Sequence, residues 1–129
     1  MVALYENAIT RLATVTGIDA KAVAATTLYN VPAGKTFIPD HIVIRITGFT
    51  AGSKSVQAIA SFGGNDPDYN DFLDSVTYTI AASGVFIRDG TDDAARPVYA
   101  GGSIFKMAVE TGSDATLETW AMDVFGYLV

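Results

Sequence analysis

From residue 26 onward, hydrophobic and polar positions alternate with a period of two, the spacing that puts successive side chains on opposite faces of a strand. Thr26 to Val31 is a short β-branched and aromatic run, closed by Pro32-Ala33-Gly34, where proline presets φ and glycine accepts positive φ. Thr36 to Phe49 gives the clearest strand, with Ile38, Ile42, Ile44 and Ile46 on one face and His41, Arg45 and Thr47 on the other. Pro39 places its early part at an edge or a bulge. Ser55 to Phe62 alternates again and ends in the breaker cluster Gly63-Gly64-Asn65-Asp66-Pro67. Val76, Tyr78 and Ile80 then alternate with Thr77 and Thr79. Val85-Phe86-Ile87 runs into the turn dipeptide Asp89-Gly90. In Ser103 to Thr111, Phe105, Met107 and Val109 share a face. Ala115 to Leu128 is the last strand, and its apolar phase shifts between Leu117 and Trp120, which predicts a bulge near Glu118-Thr119.

The pattern predicts about seven or eight strands, each closed by a turn cluster, and no repeat of fixed period. The fold class is all-β: an antiparallel β-sandwich, jelly-roll-like. Residues 26–129 form a single β-sandwich domain. Residues 1–25 are a short N-terminal arm or helix: Leu4, Ala8, Ile9 and Leu12 fit a helical stripe, whereas Ile9, Thr10, Val15, Thr16 and Ile18 fit an extended strand. Gly17 and Asp19 mark a turn.

Composition narrows the function. The 129 residues suit one domain with a core of its own. With no cysteine, disulfides and thiolate metal sites are excluded. Half the residues are hydrophobic and 17% are charged, against about a quarter in ordinary domains. Apolar surface beyond one core ends up in interfaces, so association with other protein is expected. A net charge of −6 disfavours nucleic acid and anionic membranes as partners. No apolar run reaches the length of a membrane span, and Met1 to Asn7 lack the features of a signal peptide, so synthesis and folding in a cytoplasm are expected.

Five features of the sequence bear on chemistry. Gly34-Lys35-Thr36 resembles the tail of a phosphate-binding loop, but Tyr29 stands where that motif needs glycine, and isoleucines follow instead of a helix. His41 is the only histidine, too few for an imidazole metal site, and no Gly-x-Ser-x-Gly elbow accompanies it. Asp66, Asp68, Asp71 and Asp74 loosely suggest a calcium loop, without the central glycine and closing glutamate of an EF-hand. Asp89, Asp92 and Asp93, with Arg88 and Arg96, read as surface charge, since nothing holds two carboxylates at a catalytic separation. Trp120 and most other aromatics fall in phase with apolar strand faces, as a core requires. The expectation is a protein that is not an enzyme, with no catalytic residue, no metal and no cofactor.

Leu28-Tyr29-Asn30-Val31-Pro32-Ala33-Gly34-Lys35-Thr36, then Ile42-Val43-Ile44-Arg45, resembles the opening strand and turn of small β-sandwich proteins of tailed-bacteriophage virions. Gly63-Gly64-Asn65 leading to Tyr69-Asn70-Asp71, and the ending Asp123-Val124-Phe125-Gly126-Tyr127-Leu128, are similar to the same group. The resemblance covers roughly residues 26–128. It implies a jelly roll assembled as a homotrimer that decorates or cements a capsid, with the major capsid protein as partner and the virion as location. Tail or fibre duty, or a glycan-binding module, are the alternatives. No active-site residue carries over, and the first 25 residues could reach to a neighbouring subunit.

Overall fold

The computed structural model describes residues 8–53, 55–90 and 97–129. Nine strands are described: β1 (Thr10–Asp19), β2 (Ala25–Asn30), β3 (Thr36–Thr50), β4 (Ala58–Gly63), β5 (Leu73–Tyr78), β6 (Phe86–Asp89), β7 (Tyr99–Ala100), β8 (Ile104–Thr111) and β9 (Leu117–Leu128). They form two antiparallel sheets. The first has the order β1-β9-β3-β6, with the two-residue β7 also paired to β3; the second has the order β2-β8-β4-β5. The pairs nest: β1 with β9, β2 with β8, β3 with β6 and β7, β4 with β5. A long antiparallel hairpin rolled across two layers gives this pattern, which is the jelly roll.

The core lies between the layers. The first sheet contributes Phe37, Ile42, Ile44, Ile46, Trp120, Met122 and Val124, and the second Leu28, Ala60, Phe62, Phe105, Met107 and Val109. Rings bridge the layers edge to face: Phe105 lies 5.6 Å from Phe37, and Tyr78 5.4 Å from Trp120. Aromatic edges and faces attract electrostatically as well as burying area, which favours this arrangement.

One alternative is decided and three details differ from the sequence expectation. Over Thr10–Asp19 the N-terminal segment is not helical but a strand paired with β9. Its apolar positions recur in strand phase around two bulges, one of them at Gly17 with φ 69°. Met1 to Asn7, including Leu4 of the helical stripe, lie outside the described residues. In β3, Ile38 does not share the inner face; Phe37 and Pro39 are buried instead. The register against β9 shifts between Pro39 and His41, so Asp40 is an extra residue that reverses the alternation before Ile42. In β9 the phase does not shift, because Glu118 occupies an inward position beside Trp120, Met122 and Val124 while Leu117 faces out. The irregularity falls on β3, at Thr47, opposite Thr119 and Trp120. Finally, β4 begins at Ala58; Ser55 belongs to the preceding loop, with its backbone N–H and hydroxyl donated to Asp114.

Candidate assembly surface

The outer face of the first sheet carries charge, and part of it is held in pairs within the face. Asp123 projects from β9 between Thr14 of β1 and Val43 of β3. Its Oδ1 accepts from the Thr14 hydroxyl at 2.7 Å, and Arg45 donates Nε to Oδ2 at 3.1 Å and Nη2 to Oδ1 at 3.3 Å. A forked guanidinium on a carboxylate fixes both side chains and offsets the cost of leaving Asp123 only 7% exposed. Three strands are thereby stitched across their outer face.

His41 lies on the same face without facing solvent. Its ring stacks on Phe125 at 4.5 Å and 8°, and its Nδ1 is 2.8 Å from Asp40 Oδ2. Arg88 Nη2 lies 3.8 Å from the same oxygen. Histidine, aspartate and arginine are thus gathered by the bulge at Asp40, whose extra residue swings its carboxylate to the outer side.

Three of the four loop carboxylates are dispersed onto separate partners, and Asp68 is exposed. Asp66 accepts from the Tyr69 hydroxyl at 3.0 Å. Asp71 accepts from Tyr99 at 2.6 Å and from the Gly64 N–H at 3.0 Å, and Asp74 accepts from Ser75. Asn65 closes the loop, its Oδ1 accepting from the N–H groups of Asn70 and Asp71. This is the side-chain turn chemistry expected of Asn and Asp. Among the described residues, no three carboxylate or histidine groups are placed to hold a metal ion. Asp89 accepts from the Tyr78 hydroxyl at 3.0 Å; Asp92, Asp93 and Arg96 lie outside the described residues. Gly34-Lys35 closes a turn, with the Lys35 N–H donated to Pro32 O and Gly34 at φ 76°, and Thr36 opens strand β3.

At the end of the sandwich where β1 passes to β2, β3 to β4, β5 to β6 and β8 to β9, the connections are fastened to one another. Ser113 N donates to Ala20 O and Asp114 N to Val56 O, and the Lys21 ammonium donates to Ala115 O. Each connection or its adjoining strand end nevertheless shows apolar surface: Val23, Val56, Val85 with Phe86, and Leu117. Sequence reading missed the residue beneath this end. Glu118 is fully buried and accepts from Ser113 Oγ at 3.0 Å and Trp120 Nε1 at 3.1 Å. The signal was present in parity, since 118 is in step with 120, 122 and 124. Polarity masked it.

Trp120 is therefore sealed in the core and cannot stack on a sugar from solvent. Its emission is expected to be blue-shifted, weakly quenched by acrylamide and unchanged by added sugars. A red emission quenched by saccharides would contradict this packing.

No protein-family model matches the chain, and no curated protein matches it. Among solved structures, the chain is similar to one in the acidic stable capsid structure of Helicobacter pylori bacteriophage KHP30. The superposition has a TM-score of 0.54, covers 95% of each chain, and carries 11% sequence identity. At that identity the likeness is one of fold.

Proposed function

We propose that this chain is a structural protein of a bacteriophage virion, a capsid decoration protein that assembles as a homotrimer and holds the major capsid protein by surface burial rather than by catalysis. The observation that carries the reading is the jelly roll, similar along nearly its whole length to a chain of a phage capsid structure. Two features support it. On the outer sheet face Asp123 is held by Arg45 and Asp40 by His41, which lowers the desolvation cost of covering that part of the face. The fastened loop end presents apolar side chains on a backbone that loses little freedom when it docks. Three linked copies would then bind a shell together, each raising the effective concentration of the next.

Light scattering on the purified chain tests the trimer; the expected mass is three times the 13.6 kDa of one chain, or a multiple of that where rings associate. A stable monomer at micromolar concentration overturns it. Addition to capsids of the parent phage stripped of this protein tests placement. Saturable binding to the shell supports decoration, and binding to tails alone moves the protein to tail or fibre.

A further inference from the structure

A sandwich has four edge strands, and each presents unpaired backbone N–H and C=O groups to any strand that can reach them. Among the described residues the edges are β1 and, on the far side of β3, β6 with the two-residue β7 in the first sheet, and β2 and β5 in the second. Three are blunted by an extra residue within the edge strand itself. β1 bulges between Arg11 and Ala13 and between Val15 and Ile18, and β2 between Thr27 and Tyr29. β5 bulges where Ala60 and Phe62 face Val76 and Leu73, with Ser75 at φ 50°. Bulges twist an edge away from further pairing. Within Phe86–Asp89, β6 has none: these residues pair with Arg45, Ile44, Val43 and Ile42 without a shift, and the one extra residue on this side, Gly84 at φ 77° with its N–H donated to Ile46 O, precedes the strand. The same strand holds Phe86 69% exposed, an aromatic ring in water beside an open edge.

We infer that β6 is a strand-addition site whose occupant is β6 of a second copy, antiparallel and in register about Ile87. Three observations select this partner and this register. Ile46 N donates to Val85 O, so the alternation of an antiparallel ladder turns the backbone groups of Ile87 toward β3 and those of Phe86 and Arg88 toward the free edge. Centring on Ile87 brings Phe86 opposite Arg88 of the second copy, and Arg88 opposite Phe86. Opposed residues lie on one face. Each exposed ring thereby meets a guanidinium that is itself 70% exposed, a cation–π pair made twice by the two-fold axis. The two Ile87 side chains face inward and join the two cores, which a register one residue away would not do. Two chains of net charge −6 thus meet at a point where each offers a cation and an aromatic ring.

The contact does not depend on the capsid reading. It is isologous, whereas a three-fold ring closes through heterologous contacts, so the two would use different surfaces of the chain.

The absence of native cysteine makes the test clean. Under mild oxidation the single variant Ile87→Cys is expected to give a covalent dimer, since opposed residues at a non-hydrogen-bonded antiparallel position fall within disulfide reach. Phe86→Cys and Arg88→Cys are expected to link to each other when mixed and not to themselves, which guards against loss of folding in any one variant. Thr77→Cys, exposed on the blunted edge β5, serves as the control. Adding Phe86→Asp is expected to lower the Ile87→Cys yield at least tenfold. Linkage of Ile87→Cys no faster than Thr77→Cys, or equal self-linkage of all three β6 variants, overturns the inference. A trimer by light scattering with an unlinked Ile87→Cys variant sinks the inference and spares the trimer. Linked pairs of otherwise monomeric chains do the reverse.

Discussion

Glu118→Ala is expected to lower the unfolding free energy by about 3–5 kcal/mol, the range for removing one member of a buried hydrogen-bonded set. The carboxylate is fully enclosed and receives the Trp120 indole N–H and the Ser113 hydroxyl. Alanine leaves both donors unpaired in a site that water does not reach, and opens a cavity between Trp120 and the β8–β9 connection. Ser113 Oγ in turn accepts from the Ala115 N–H at 3.1 Å, so the loss spreads into the loop that Lys21 and Asp114 fasten. Glu118→Gln keeps the shape and one acceptor, and the rotatable Ser113 hydroxyl can adjust to the new amide. Its cost is expected to be about 1–2 kcal/mol. Urea unfolding followed by tryptophan emission measures both. A loss below about 1 kcal/mol for alanine would show that the carboxylate does not organise this end of the sandwich.

Above pH 10, stability is expected to fall by up to about 3 kcal/mol for each further pH unit, through Tyr78 and Tyr99. Burial, reinforced by the Asp89 carboxylate and the bond to it, raises the Tyr78 hydroxyl far above its ordinary value of 10.0. Burial and then the bond to Asp71 do the same for Tyr99. Below pH 10 both hydroxyls stay protonated whether the chain is folded or not, and their contribution is constant. Above pH 10 the unfolded chain releases these protons and the folded chain keeps them. The unfolded state then binds fewer protons, and stability decreases as pH rises. Tyr99→Phe loses the 2.6 Å bond to Asp71, at a cost of about 1 kcal/mol near neutrality, yet it removes one of the two alkaline liabilities. Its stability curve should cross that of the native chain between pH 10 and 12. Urea midpoints over that range decide the matter, and parallel curves would mean that the Tyr99 hydroxyl ionises in the folded protein as readily as in water.

Much of the architecture was legible because strand alternation is local. Each side chain's face depends on its own backbone and its neighbours', so period two marked β2, the body of β3, β8 and β9 before any partner was known. What failed depended on which strand lies alongside. Ile38 looked like the first member of the isoleucine row, but an extra residue at Asp40, accommodated only against β9, hands the inner position to Phe37. Residues 10–19 fit a helix or a strand equally well until β9 offered them an edge. The loop carboxylates that loosely suggested a calcium site are drawn apart for the same reason. Tyr99, distant in sequence, takes Asp71, while Asp66 and Asp74 find partners nearby.

By itself, then, the sequence determined an all-β chain with an apolar inner face, no thiol chemistry and more apolar surface than one core can hide. The tertiary structure alone decided the nesting of the strands, the burial of Glu118, the pairing of Arg45 with Asp123, and which edge strand pairs without a shift along its length. The physical reason is that alternation is written in adjacent residues. Register, bulge position and the satisfaction of a buried polar group are set by residues far along the chain, which meet only when the sheets close.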